Sequence, residues 1–290
     1  MGWEKSKANL AIVDKQIADL KIKLKQDADI VQLLNLSRDF LVEEATLSLD
    51  DLGAKWKDRF LDFYKAQLTV GVLSEAISEL ATKQKEPLGK YLNIILGGNL
   101  TQGGPAGGQP RDFFYELWLA SVLSEAGFII HFQEPDVVIE GNGLSQKIAI
   151  ACKYPSSDKG IHEHLSKALS QLKKHGIPGF IALGIDQIVV EKANLKKYVD
   201  FNQGEKNPVD VLQGYTDNEV MTLVDERPQK YPSEDPVDEI VVTLSLVGHY
   251  GKPAKLISPT VLALHCSDNS PIKNDIWVIV QALSKQLGKK

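Results

Sequence analysis

Two hydrophobic periods divide the chain. Over residues 3–96 apolar side chains recur at the spacing of helices that bury one face. Leu10, Ile12, Val13, Ile17, Leu20 and Leu24 mark a first run, and Ile30, Leu33, Leu34, Phe40 and Leu41 a second. A third, from Trp56 to Leu68, carries Trp56, Phe60, Leu61, Phe63 and Tyr64, while Lys21, Lys23 and Lys25 read as a solvated face. The pattern predicts an α-helical N-terminal region, residues 1–96, that packs as a bundle or offers an arm to a homodimer or protein partner. GGNLTQGGPAGGQP follows at 97–110. Its paired glycines and prolines predict a flexible linker, and it lacks the Gly-Lys-Ser/Thr that completes a phosphate-binding loop.

Beyond the linker the period shortens. RDFFYELWLASVLSEA predicts an apolar helix over 111–126, stopped by Gly127. Strands are expected at 128–133, 136–140 and 146–153, with Glu140-Gly-Asn-Gly-Leu144 turning between the last two. A helix over 159–175 puts Ile161, Leu165, Ala168, Leu169 and Leu172 on one face, Gly176-Ile-Pro-Gly179 ends it, and 180–185 reads as a buried strand. Helix, three strands, helix, strand predicts an α/β (α+β, mixed-sheet) core with helices packed on a sheet. Further on, Pro208–Arg227 reads as helix, Val261–Cys266 as strand and Ile276–Leu287 as a closing helix. Asp235-Pro236 resembles a helix start, although Ile240–Leu246 also fits a strand.

Composition narrows the class. With 33 Lys+Arg against 38 Asp+Glu, the net charge of -5 argues against a generally basic nucleic-acid coat but leaves room for a local groove. Lys159, Lys167, Lys173, Lys174 and His175 are candidates for such a groove, as are Lys192, Lys196 and Lys197, although spaced lysines usually face solvent. Two cysteines, Cys152 and Cys266, suit a reducing compartment. No run approaches the roughly 20 apolar residues of a membrane span, and the first residues show no signal-peptide block. A cytoplasmic protein without a membrane partner is therefore expected. The Met1-Gly2 myristoylation pattern and the Asn99-Leu100-Thr101 sequon are too short to carry weight. His162, His164, His265 and Cys266 lack the paired spacing of a zinc site, and HEHLS is not HExxH.

The candidate chemistry lies between residues 111 and 185. Glu116 sits in an otherwise apolar helical row, so it needs a cation or donors. Asp136 follows Glu134-Pro135 at a strand start. Lys153 ends an apolar strand on the face it shares with Ala151, either snorkelling to the surface or aimed at an anionic site.

PDVVIEG, a turn, IAIACKYPSS and a helix ending in ALSQL resemble the PD-(D/E)XK nuclease superfamily, with its restriction-endonuclease-like fold. The resemblance covers about residues 111–185 and includes the element order. It implies a restriction-endonuclease-like domain over 111–290, with its motif core at 111–185 and a C-terminal extension at 186–290. The implied activity is a metal-dependent nuclease hydrolysing nucleic-acid phosphodiesters, an endonuclease with DNA as the expected partner and Mg2+ or Mn2+ as cofactor. Carried over, Asp136 and Glu116 bind the metal with the Cys152 main-chain carbonyl, Lys153 acts on the attacking water and the phosphate, and Gln171 matches a glutamine that several members carry.

Ala151 departs from the pattern, because it stands where the family has its second acid. Glu134 or Glu163 supplies that carboxylate from elsewhere, or the acid was replaced to inactivate the enzyme, or the chain is a member that binds nucleic acid or scaffolds proteins without cutting. The reading expects Asp136, Lys153 and Glu116 to converge in one accessible cleft, with Ala151 beside them. It expects Lys153→Ala to lower any nuclease activity by orders of magnitude with little change in thermal midpoint, and Ala151→Glu to create or strengthen a magnesium site.

Overall fold

The structure, a computed structural model, describes residues 3–97, 109–155, 157–192, 199–200, 207–226, 237–246, 248–250, 255–257 and 259–288. Most of the expected linker lies outside these residues, as do Met1-Gly2, Asn99, Asp235-Pro236, Lys196 and Lys197. The chain divides into two compact units, Met1–Ser121 and Val122–Lys290. The division falls inside a helix rather than in the Gly/Pro-rich stretch before it.

The first unit is helical: α1 (Trp3–Asp19), α2 (Asp29–Glu44), α3 (Leu49–Trp56), α4 (Phe60–Leu80), α5 (Lys85–Ile95) and most of α6 (Gln109–Glu125). The apolar faces of α1 and α2 close on α4, burying Val13, Ile30, Leu34, Phe40 and Leu73. The run expected to continue from Trp56 to Leu68 is instead broken by a turn at 57–59. The break has a packing reason. Trp56 and Phe63 meet edge-on with centroids 5.9 Å apart, whereas two turns of one continuous helix would separate their backbones by about 11 Å. Phe40 stacks on Phe63 at 3.7 Å, and the Trp56 indole N–H donates to Glu43 Oε2 at 2.8 Å.

The second unit holds a mixed six-stranded sheet in the order β1-β2-β3-β4-β6-β9. β1 (Ile129–Gln133), β2 (Asp136–Glu140) and β3 (Ile148–Lys153) form an antiparallel meander. Gly141, Asn142 and Gly143 turn the second hairpin with φ of 81°, 48° and 87°, a left-handed path open to glycine and asparagine. α7 (Asp158–His175) carries the chain over to β4 (Gly179–Gly184), parallel to β3. Parallel pairing requires such a crossover.

α8 (Asp186–Lys192), β5 (Val199–Asp200) and α9 (Pro208–Met221), the last extended by a π-helical turn at Thr222–Glu226, lead to β6 (Glu239–Ser245). β6 is parallel to β4, so the segment at Ile240 is a strand. β7 (Gly248–Tyr250) and β8 (Lys255–Ile257) join β5 in a small second sheet, β9 (Thr260–Cys266) pairs antiparallel with β6, and α10 (Lys273–Leu287) closes the described chain. One apolar core joins Ala151, Ile181 and Ile240 of the sheet to Leu165 of α7, Ile188 of α8 and Leu212 of α9. Asp275, in the first turn of α10, accepts from the main-chain N–H and hydroxyl of Ser145, each at 2.7 Å, and so ties this helix to the loop after β2. Among the described residues no helix is long and apolar enough to cross a membrane.

Candidate functional site

Antiparallel pairing of β2 with β3 ends at Val137↔Ile150, one position before Asp136 on β2 and Ala151 on β3. Side chains alternate along a strand, so Ala149, Ala151 and Lys153 share the face that α7 covers. The lysine therefore leaves the sheet beside the aspartate. Lys153 Nζ donates to Asp136 Oδ2 at 3.0 Å and to the Cys152 carbonyl at 2.9 Å, while the Cys152 N–H donates to the same Asp136 oxygen at 2.7 Å. The two side chains are 9% and 13% exposed, respectively, so the pair is largely out of water. Burial pushes the Asp136 carboxyl above its ordinary range, against the opposing pull of Lys153 and the Cys152 N–H.

The other expected residues divide. Ala151 is fully buried in the aliphatic core. Glu163 pairs with Lys167 one turn along α7, at 2.6 Å, and is 71% exposed. It forms a solvated helix ion pair and supplies no carboxylate to Asp136. Glu134 stands close enough to raise the Asp136 pKa, but its carboxylate faces His175 at 3.6 Å. Gln171 reaches the rim of the site, where its Nε2 donates to the Pro135 carbonyl at 3.3 Å and its buried Oε1 has no hydrogen-bond partner among the described residues. Glu116 belongs to the first unit, where it is buried on α6 and accepts from the Tyr91 hydroxyl at 2.6 Å. His164 of α7 lies near the lysine, and its pKa is held down by burial first and by the Lys153 charge second.

Sequence reasoning passed over a neighbouring polar group. Tyr154, directly after Lys153, donates its hydroxyl to Asp186 Oδ2 at 2.6 Å, and Asp186 Oδ1 accepts from the Ser245 N–H, also at 2.6 Å. Burial pushes the Asp186 carboxyl up to about 6 against these donors. The available signal was an acid immediately after the apolar strand of 180–185, at the carboxyl end of a parallel strand, where open α/β sheets bind ligands.

The expected metal ligands Asp136 and the Cys152 carbonyl do converge, and both are hard oxygens suited to magnesium. The point between them is held by the Lys153 ammonium. Asp136 is thus already neutralised by Lys153, and a methyl group stands where another acid is needed. Among the described residues, no group of three or more His, Cys, Asp or Glu side chains could hold a metal ion. These residues fit a resident magnesium centre in ligand kind but not in charge. No family model matches the chain, and no curated protein or solved structure matches it.

Proposed function

We propose that the second unit is a PD-(D/E)XK-type domain directed at nucleic-acid phosphodiesters, DNA above all, and that Lys153 is its phosphate-contacting group. The observation that carries the reading is the Asp136–Lys153 pair, drawn together from the start of β2 and the end of β3 at 3.0 Å. The order of α6, β1, β2, β3, α7 and β4 in the chain supports it, as does the position of Gln171 beside Pro135. A buried ammonium with an aspartate partner can exchange that partner for a phosphate oxygen, forming a charge-assisted hydrogen bond of comparable strength.

Cleavage and binding alone are the two outcomes of this reading. Metal-dependent hydrolysis asks for a barrier reduction of about 8–23 kcal/mol, to which a bound cation would contribute charge stabilisation and an activated hydroxide. The burial of Ala151 in aliphatic packing and the neutralised Asp136 favour binding without cutting. The test is an electrophoretic assay of single- and double-stranded DNA and RNA with the full chain, in Mg2+, in Mn2+ and in chelator. Cation-dependent cleavage lost in both Asp136→Asn and Lys153→Ala establishes a nuclease. DNA retention that falls in Lys153→Ala, with no cleavage in any cation, establishes the binding member. Neither retention nor cleavage refutes the phosphodiester reading.

A further inference from the structure

The end of β3 is held by a second contact, separate from the Asp136–Lys153 pair. Through Tyr154 and Ser245, the Asp186 carboxylate joins the ends of β3 and β6 to the residue two beyond β4. The Ile185 N–H reaches the Thr243 carbonyl at 3.0 Å, and the Ser245 and Thr260 hydroxyls share a hydrogen bond at 2.5 Å, which extends the tie to β9. Three mutually parallel strands therefore finish against a single carboxylate. With a pKa of about 6, Asp186 is ionised at neutral pH and accepts both bonds in their stronger, charged form.

Lys153 depends on where its strand ends. Its acceptors include the Cys152 carbonyl of its own strand and the Asp136 carboxylate on β2. The pairing of β2 with β3 extends no further along β3 than Ile150. The residues after it are held sideways by β4, up to Lys153↔Leu183, by the Cys152 N–H bond to the Asp136 carboxylate, and then by the Tyr154 hydroxyl. A lateral shift of the strand end carries the ammonium away from Asp136. We propose that Asp186, acting through the Tyr154 hydroxyl, is a positioning residue that keeps Lys153 Nζ between Asp136 and the Cys152 carbonyl. Its functional meaning rests on Lys153 being the phosphate-contacting group, whereas the positioning itself is measured without nucleic acid.

The experiment is competitive acylation of the folded full chain by a limiting amount of an amine-reactive ester at neutral pH. Peptide mass spectrometry then gives the labelling of Lys153 relative to Lys167, whose side chain is 65% exposed. Tyr154→Phe and Asp186→Asn are each expected to raise this ratio by about tenfold, the size set by losing one hydrogen bond to a charged acceptor. The double variant is expected to match the larger single effect, because both changes cut the same link. Unchanged ratios in the single variants, or effects that add, overturn the proposal. If Asp186→Asn does not fold, Tyr154→Phe, which removes only a hydroxyl, decides the outcome by itself. DNA retention by the same proteins is the separate arm. Its absence from the unsubstituted chain defeats the phosphodiester reading and leaves the acylation result standing.

Discussion

Lys153 and Asp136 form a largely buried ion pair, and that burial reverses one expectation. A lysine ending a strand matters little to stability when it is solvated, but this one neutralises a carboxylate from which water is mostly excluded. Lys153→Ala is therefore expected to cost about 2–4 kcal/mol, towards the lower end of the range for breaking buried pairs because Asp136 can take up a proton. Urea unfolding measures this, and adding Asp136→Ala should recover part of the loss; full additivity would mean the pair is not coupled. Ala151 carries a similar lesson. Its methyl group is fully buried beside Leu165 and Ile181, so Ala151→Glu is expected to lower stability in chelator by roughly 2–5 kcal/mol, from overpacking and a desolvated carboxylate. The new acid would lie near Asp136, so millimolar Mg2+ should restore part of the thermal midpoint by binding the folded state. A midpoint insensitive to Mg2+ would mean that the added carboxylate makes no cation site.

At the scale of elements, the pairing of β3 with β4 positions the candidate site and tolerates little change. A Cβ built on Gly179 would lie 2.1 Å from the Ala149 carbonyl oxygen and 2.9 Å from its Cβ, so the two strands approach more closely there than any side chain permits. Gly179→Ala is expected to destabilise by about 3 kcal/mol or more, seen as a lower urea midpoint. An unchanged midpoint would show that the strands separate at no cost. β1 to β4 and α7 were legible because each has one period and a marked end: Gly141-Asn-Gly143 for the hairpin and Gly176 for the helix. The turn at 57–59 was not, because every position in a single helical stripe remained satisfied. Packing against rings of other helices, Phe40 of α2 and Trp3 of α1, required Trp56 to fold back on Phe63. β5, β7 and β8 are two or three residues long, too short for a periodicity to register.

For the whole molecule, Asp186 makes the stability of the second unit depend on pH with an unusual sign. Its carboxyl pKa is raised from 3.8 to about 6, so between these values the folded chain binds more protons than the unfolded one. This group's contribution is greatest below about pH 4 and declines as pH rises through 6. At 1.36 kcal/mol per unit the full decline is at most about 3 kcal/mol. Asp186→Asn should flatten that segment of the stability–pH curve, measured by urea unfolding at a series of pH values. An unaltered slope would mean that burial does not raise this carboxyl. Depressed carboxylates such as Glu43 and Glu140, held below their usual range chiefly by hydrogen bonds from Lys55 and His131, respectively, work in the opposite direction but lie at the surface and contribute less.

By itself the sequence determined the helical character of residues 3–96 and the order helix, three strands, helix, strand over 111–185, because burying a face imposes a period that each of these segments carries in its own residues. It also singled out Asp136 and Lys153 as charges at the ends of apolar strands, where a charge needs a reason. Tertiary structure alone decided which charges meet. It filled the Ala151 position with aliphatic packing. It placed Lys153 between two oxygens expected to bind a metal, and brought Asp186 to Tyr154 across 32 positions of chain. Partner choice depends on strand register and crossover geometry, which join residues remote in sequence, and no local pattern of residues encodes that distance.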